Sequence, residues 1–596
     1  MREQEQFLQV LDRDEAERRF RAALDLSPRG VERIPLDAAL GRILAADVLA
    51  PVDVPSFDRS NVDGFAVVAE DTFGASEEVP RLVRMIEEQI HTGIVPKAVV
   101  RSGEAAAIAT GGMMPRGADA VVMVEHAEAR AGTVRIARAL TAGSGVSFAG
   151  TDITAGETVL RQGQLLTSRD TGVLAAIGVA EVDVWRKPVV AILSTGDEII
   201  APGTPMQAAR VYDSNAQVLA DAVREAGGEP ARLGIVADDA VALRDKLRHA
   251  LEVADVVLLS GGTSKGEGDV SYRVVAELTD PGIVAHGVAL KPGKPICLAA
   301  TGGRAVVVLP GFPTSAIFTF HEFVAPVVRM LAGRAAEERT VVQARLAVKV
   351  NSEIGRTEYL LVGLVDIPGT TTRPRGFRLL DRRSLGEGGQ PEEGVTLAAY
   401  PMGQGSGSVT TFSRADGFAT IDRHQEIVEA GTILDVQLLG RELHLADLVV
   451  IGSHCIGLDF LLGELQKLDV QSKFLAVGSS GGLDAARRGE CDIAGVHLLD
   501  PATGEYNRPF LTEALELIRG YGRLQGIVFR QGDRRFDGRS AAEAIAAALD
   551  DPGCVMVNRN QGSGTRALID RLLSGTRPAG YAVQPRNHNA VAAAVR

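Results

Sequence analysis

Three observations predict an α/β multidomain chain. Between residues 188 and 335, apolar runs of strand length alternate with amphipathic helices, the βαβ rhythm of a parallel sheet covered on both faces. A second stretch with the same rhythm begins at residue 443. Glycine supplies 66 of the 596 residues, well above the usual ~7%, which provides many tight turns and backbone-lined loops. At roughly 150 residues per domain, the length implies about four domains.

Taken in order, residues 1–50 read as mostly helical, starting with the amphipathic stretch MREQEQFLQVLDRDEAERRF and ending in the extended LAADVLAPVDVPSF. The mixed charge of that first stretch is unlike a secretory leader. Residues 51–149 switch to short alternating runs (FAVVAE, PRLVRMI, AVVMVEHAEA, TVRIARAL) broken by Gly and Pro, the pattern of a β-rich insertion. A helix returns over 150–187 in TSRDTGVLAAIGV, and this segment rejoins residues 1–50 across the insertion. The 188–335 domain has strands PVVAILST, ARLGIVA, ADVVLLSGG and AVVVLPG, with helices at NAQVLADAVREAG, DAVALRDKLRHALE and SAIFTFHEFVAPVVRMLAG. Residues 336–442 return to short β segments around the loop SLGEGGQPEEG, and 443–596 form the second α/β unit.

Composition excludes several functions. The formal net charge is −13, whereas a general nucleic-acid binder needs a strong positive field. Aromatic residues are 4% of the chain and Trp185 is the single Trp, too few for base-stacking platforms. Cys297, Cys455, Cys491 and Cys554 include no CxxC pair, which argues against a zinc site or disulfide framework and for a reducing, cytoplasmic compartment. No apolar stretch approaches the ~20 residues of a membrane span.

In a parallel sheet, ligands bind beyond the carboxyl ends of the strands. The loops there are STGDE (Ser194–Glu198), SGGTSKGEGD (Ser260–Asp269) and LPGFPTS (Leu309–Ser315), with LKPGKP (Leu290–Pro295) nearby. Gly-rich loops expose N–H groups that can cradle phosphate, and carboxylates beside them can share Mg²⁺ with phosphate oxygens. Each loop alone reads equally well as a turn. Their convergence on one sheet edge, with Lys291 and Lys294, points to a nucleotide or phosphorylated cofactor without naming it.

Together PSFDRSNVDGFAV (Pro55–Val67), ATGGMMPRGADAVVMVE (Ala109–Glu125), GTDI (Gly150–Ile153), STGDE, SGGTSKGEGD, LKPGKP and LPGFPTSA resemble the molybdopterin molybdenumtransferase family, over residues 5–440 and in the family's order. The resemblance implies an elongated four-part transferase core: a helical and extended domain (1–50 and 150–187), a β-rich insertion (51–149), a molybdopterin-binding parallel-sheet domain (188–335) and a small β-barrel domain (336–442). It implies that adenylylated molybdopterin and molybdate are the substrates, that AMP and molybdenum cofactor are released with Mg²⁺, and that a homodimer forms each cleft from two subunits. Carried onto this chain, the catalytic set is Asp63, Thr110, Asp152, Glu198, Asp238, Asp269, Lys291 and Lys294, with Glu198 and Asp269 as metal ligands. The substrate-binding set is Ser194, Thr195, Asp213, Asn215, Gly261, Gly262, Pro310, Gly311, Ser315, Arg356 and Ser406. Asp63 reads equally as a structural acid closing a turn with Asn61. The family more often has Met at Val62 and Tyr at Phe65, many members have Asn at Phe312, and some have a basic residue at Gly287.

Residues 443–596 resemble the periplasmic-binding-protein-like domains fused to such transferases, through GSHCIGLDFLL, GSSGGLDAARRGECDIAGVHLLDPATGEYN and NRNQGSGTR. Related domains continue beyond the position of Arg596, so the resemblance implies an incomplete last domain. Ser453, Ser479, Ser480, Ser563 and Thr565 lie in Gly-containing loops ahead of helices. They suit an oxyanion ligand such as molybdate, with Arg566 adding charge, and they read equally as helix caps. A regulatory oxyanion sensor, a scaffold and the sister adenylylation of molybdopterin are the competing functions. The intact acid and lysine set opposes an inactive sensor, and no interaction tail supports a scaffold. Enzymes of the sister reaction generally lack the other three core domains.

Overall fold

The computed structural model describes residues 10–261, 270–336, 340–367, 395–403, 409–440, 443, 445–500, 502–522, 524–561, 563–585 and 588–596. Gly262, Asp269 and Ser406 lie outside them.

The first helix is Arg13–Ala22, capped by Asp12, whose carboxylate accepts the Asp14 N–H at 3.0 Å. Ala16 and Phe20, one turn apart, bury in the core of the central sheet rather than in that of the segment that follows them. Residues 23–50 are less helical than their sequence predicts. Gly30 turns at positive φ, and the strand Val31–Pro35 pairs antiparallel with Glu181–Trp185, so the segments on either side of the insertion meet. Ile34, Leu44, Leu160, Leu166, Leu174 and Val184 share their core. Helix Ser168–Ala176 starts at a capping box made by Thr167 and Asp170.

Within the insertion a six-stranded sheet runs in the order Ala120–Met123, Gly64–Val67, Glu104–Ile108, Arg81–Ile90, Thr133–Ile136, Ala127–Arg130. The run AVVMVEHAEA divides into two strands at the turn Val124–His126.

The central sheet runs Glu229–Val236, Val189–Thr195, Val256–Ser260, Arg304–Leu309, Cys297–Thr301, Pro281–His286. Its first four strands are parallel and are the four read from sequence; the last two are antiparallel. The chain passes outward from Val189–Thr195 to Glu229–Val236, then returns to the other side at Val256–Ser260. The carboxyl ends of Val189–Thr195 and Val256–Ser260 therefore flank a topological switch point, the place where open α/β sheets bind their ligands. One face buries Val190, Ile192, Leu258 and Val307 under the helices Ser214–Ala226 and Ala325–Leu331; the other buries Ala191, Leu193, Val257 and Val306 under Ala240–Val253.

Strands Thr357–Asp366, Leu397–Pro401, Val341–Leu346, Ile433–Leu438 and Gly417–Ile421 follow one another in a sheet that closes by pairing Gly417–Ile421 back to Thr357–Asp366, forming a five-stranded barrel. Leu290–Lys291, from the central domain, adds to Thr357–Glu358 in parallel. The last unit opens with parallel strands Leu448–Gly452 and Ser472–Ala476, followed by the helix Gly478–Arg487. Val449, Ile451, Leu475 and Ala485 share one core with Val365, Ala398 and Tyr400 of the barrel, so this unit is docked on the barrel. No helix among the described residues is long and apolar enough to cross a membrane.

Candidate active site

At the switch point the backbones of three loops meet with almost no space between them. Gly261, at φ +114°, stands where a Cβ would lie 2.3 Å from the Thr195 carbonyl oxygen, and its N–H donates to Leu309 O at 3.2 Å. A Cβ on Gly311 would lie 3.7 Å from the Gly261 Cα. Asn215 fastens this junction: its Nδ2 donates to Ser260 Oγ at 2.8 Å and to Gly311 O at 2.9 Å. Asp213 caps helix Ser214–Ala226 by accepting the Ala216 N–H at 3.0 Å. Both residues, read from sequence as substrate contacts, thus hold the loops of the crevice in place. Thr195 Oγ1 lies 3.1 Å from Ser271 Oγ, whereas among the described residues the buried Ser194 Oγ has no hydrogen-bond partner. Pro310 is buried, and Ser315 is buried in the first turn of helix Pro313–Thr319. Phe312, which precedes that helix, is 62% exposed and puts an aromatic ring where the sequence comparison expects an amide.

Three carboxylates gather on the other side of Thr195. The Asp238 N–H points at Asp197 Oδ1 at 3.3 Å, and the Glu198 carboxylate folds back over Gly196. Partial burial, reinforced by the charges of Asp197 and Glu198, pushes the Asp238 carboxyl above the usual carboxylate range. A cation would relieve that repulsion. Among the described residues there is no group of three or more metal-ligating side chains. Mg²⁺ commonly takes only one or two carboxylates with substrate phosphates, so Glu198 and Asp238 still fit it.

The KPGKP turn faces the barrel. Lys291 Nζ donates to Glu358 Oε2 at 3.2 Å and lies 3.6 Å from Glu353 Oε1; Glu353 pairs in turn with Arg356 at 3.0 Å. Glu358 is 5% exposed and also accepts from Ser352 Oγ at 2.7 Å. Lys291 and Arg356, assigned from separate motifs, are thus joined through Glu353. Sequence reasoning missed Glu353 and Glu358, which look like ordinary acids in a β segment. Lys294 stays on the turn, its carbonyl accepting the Val288 N–H at 2.9 Å.

Asp63 and Thr110 come together in the insertion. The Asp63 carboxylate accepts the Thr110 N–H at 2.7 Å, and this bond, with the Thr110 hydroxyl, holds the carboxyl below its ordinary range. The turn closure with Asn61 is not formed: Asn61 Oδ1 accepts from Ser147 Oγ at 2.6 Å. Asp152 is exposed at the base of the insertion, its N–H bonded to Val54 O at 3.0 Å. Asp63 and Thr110 make no hydrogen bond or ion pair to the described loops of the central sheet.

Four family models match the chain in sequence. They are the MoeA N-terminal region (domains I and II) over residues 11–178, the probable molybdopterin binding domain over 191–330, the MoeA C-terminal region (domain IV) over 390–439, and the PBP superfamily domain over 462–596. Molybdopterin molybdenumtransferase 2 of Mycobacterium tuberculosis is 36% identical over 335 residues, which is 55% of this chain and 81% of the relative. Molybdopterin molybdenumtransferase of Nostoc sp. is 36% identical over 338 residues, 56% of this chain and 77% of its own. The crystal structure of the molybdopterin biosynthesis MoeA protein of Pyrococcus horikoshii, 36% identical, superposes with a TM-score of 0.59 over 72% of this chain and 99% of that one. A second structure from that organism, 27% identical, gives 0.54 over 72% and 100%. The ordered loops of the switch point, the barrel beside them and these matches agree: the chain belongs to the molybdopterin molybdenumtransferase family.

Proposed function

We propose that this chain inserts molybdenum from molybdate into adenylylated molybdopterin, releasing AMP and molybdenum cofactor, as a Mg²⁺-dependent cytoplasmic homodimer. The observation that carries the reading is the arrangement at the switch point: the close-packed Gly261 and Gly311 with Asp197, Glu198 and Asp238 on one side, and the KPGKP turn packed through Gly293 against the helix Pro313–Thr319. The 188–335 domain then binds the pterin substrate through Ser194, Thr195, Gly261, Pro310, Gly311 and Ser315, with Gly262 assigned to the same site from the sequence. Asp213 and Asn215 serve it by fixing the loops.

Cleaving a phosphoanhydride moves negative charge onto AMP, so the site must supply positive charge where that charge develops. Lys294 and Lys291 supply it, Lys291 with its position set by Glu358 and Glu353. Mg²⁺ held by Glu198, with Asp238 near it and Asp269 assigned as a further ligand from the sequence, would neutralise phosphate oxygens and position the attacking water. Thr195 and Ser194 offer hydroxyls to the substrate, and the orphaned Ser194 Oγ gains a partner when the crevice fills. Arg356 reaches the substrate from the barrel, and Ser406 is assigned to the substrate from the sequence alone. Asp63 and Thr110 sit on loops of the insertion and Asp152 on a loop at its base, all apart from the central sheet, so they complete the cleft of a partner subunit; this is the ground for the homodimer.

The test is AMP release from adenylylated molybdopterin with Mg²⁺, with and without molybdate, for the wild type and Glu198→Gln. Molybdate-dependent release that falls by at least about 100-fold in the variant is expected. Intact substrate binding with no AMP release by the wild type would overturn the reading.

A further inference from the structure

In the C-terminal unit, two helix N-termini converge on one histidine. Ser479, fully buried in the first turn of helix Gly478–Arg487, has its Oγ 3.0 Å from His497 Nδ1 and accepts the His497 N–H at 3.2 Å. On the other side of the ring, His497 Nε2 lies 3.4 Å from Thr565 Oγ1, in the first turn of helix Gly564–Leu572. The approach of that second helix is tight: a Cβ on Gly564 would sit 2.0 Å from the His497 carbonyl oxygen. Only glycine permits it.

Ser563 is the residue that points to a ligand. It occupies the N-cap of helix Gly564–Leu572, is 3% exposed, and makes no capping bond. Among the described residues its buried Oγ has no hydrogen-bond partner. A buried hydroxyl without a partner is costly, and at a helix N-terminus the group that satisfies it is an anion, which also meets the exposed amides and the positive end of the helix dipole. Arg566, expected to add charge, does not: its guanidinium is bonded to Asp570 at 2.8 and 2.9 Å and lies 4.3 Å over the Tyr581 ring. Ser480, also expected in the site, is exposed. Ser479 and Thr565 remain, joined through the His497 ring, with Ser563 at the N-cap two residues before Thr565.

We propose that this junction binds a tetrahedral oxyanion, held by Ser563, Thr565 and the two helix N-termini, with His497 orienting the hydroxyls of Ser479 and Thr565. The inference is independent of the catalytic reading. It assigns the last unit a ligand site of its own, apart from the switch point.

The test is equilibrium dialysis of the full-length chain with radiolabelled molybdate, in the absence of pterin. Unlabelled tungstate, sulfate and phosphate serve as competitors to identify which oxyanion is preferred. Ser563→Asp is the decisive variant, because Asp caps a helix as well as Ser does yet places a negative charge where the ligand sits. Ser563→Ala removes the hydroxyl alone, and Lys294→Ala weakens the switch point instead. The expectation is molybdate binding that Ser563→Asp abolishes, Ser563→Ala weakens at least about tenfold, and Lys294→Ala spares. Unchanged binding in Ser563→Asp, checked as folded by its melting temperature, overturns the proposal. Loss of all binding in Lys294→Ala overturns it too, while leaving the catalytic reading standing. An active Lys294→Ala with binding lost in Ser563→Asp does the reverse.

Discussion

Replacing Gly261 by alanine tests whether the close packing of the switch point sets the rate. At φ +114°, a Cβ would stand 2.3 Å from the Thr195 oxygen, and real Cβ atoms essentially never come closer than 3.0 Å. One of the two loops must therefore retreat by at least about 0.7 Å, opening the crevice between Thr195 and Gly311. The strained backbone costs about 1–2 kcal/mol besides. Gly302→Ala is the control. That turn glycine is also at positive φ, +54°, but nothing lies within 4 Å of its Cβ position, so it shares the strain without the clash. A displacement of about 1 Å at reacting groups can cost about 100-fold in rate. The assay is kcat/KM for AMP release, with thermal melting of both variants. Both should melt lower than the wild type, and only Gly261→Ala should lose activity, by about 100-fold. A folded Gly261→Ala within about threefold of wild-type kcat/KM would refute the idea that this contact shapes the site.

Asp63→Asn keeps an oxygen to accept the Thr110 N–H but removes the charge, so it should melt like the wild type and lose about 100-fold or more in kcat if the carboxylate acts on substrate. Activity equal to the wild type would make Asp63 purely structural. Among the described residues, Lys291→Ala leaves the buried Glu358 with Ser352 as its side-chain partner, and leaving a buried acceptor short of its donor costs about 1–3 kcal/mol. Adding Glu358→Gln should restore most of the melting temperature but none of the activity, which separates the structural role of the lysine from its chemical one. The Asp238 carboxyl titrates above its unfolded value, so its contribution to stability is present in acid and is lost as pH rises through its folded pKa. Without Mg²⁺, Asp238→Asn should gain stability over the wild type as pH rises above the ordinary carboxylate value of about 4, and Mg²⁺ should narrow that gap. A constant difference across the range would count against the carboxylate cluster.

What was legible in the sequence follows from where each signal lies. Val189–Thr195, Val256–Ser260 and Arg304–Leu309 are runs of Val, Ile and Leu ended by Gly or Pro, so they read as buried parallel strands from local pattern alone. Glu104–Ile108 and Cys297–Thr301 do not, because alanine-rich strands owe their conformation to the neighbours they pair with rather than to propensity. The switch-point loops were legible as Gly-rich strand ends, and the DSNA sequence carries a helix-cap signature that explains Asp213. Glu358 was illegible because its burial depends on Lys291, 67 residues earlier in the chain. His497 was illegible for the same reason, standing 18 residues from Ser479 and 68 from Thr565. The segment that holds both Ser479 and His497 shows no periodicity that would bring them together, and Thr565 lies outside it.

The strand Thr357–Asp366 bears on whether the two proposed sites influence each other, because it touches both neighbourhoods. Near its start Glu358 holds Lys291; near its end the Leu364 carbonyl accepts from Lys473 Nζ of the C-terminal unit at 2.7 Å, and Lys473 also pairs with Asp416. Six residues of strand separate these points, about 20 Å. Coupling over that distance needs an element with two stable arrangements. This strand has only one. It is hydrogen-bonded on both edges, to Leu397–Pro401 and to Gly417–Ile421. A slip by one residue would turn Leu360, Val362 and Leu364 out of the barrel core and Glu358 away from Lys291. An oxyanion at the Ser563 site should therefore leave the geometry at Lys291 unchanged. The expected result is equal kcat for the wild type and Ser563→Asp at saturating molybdate and substrate. A kcat that differed severalfold between them would mean that the two sites communicate by a route other than this strand.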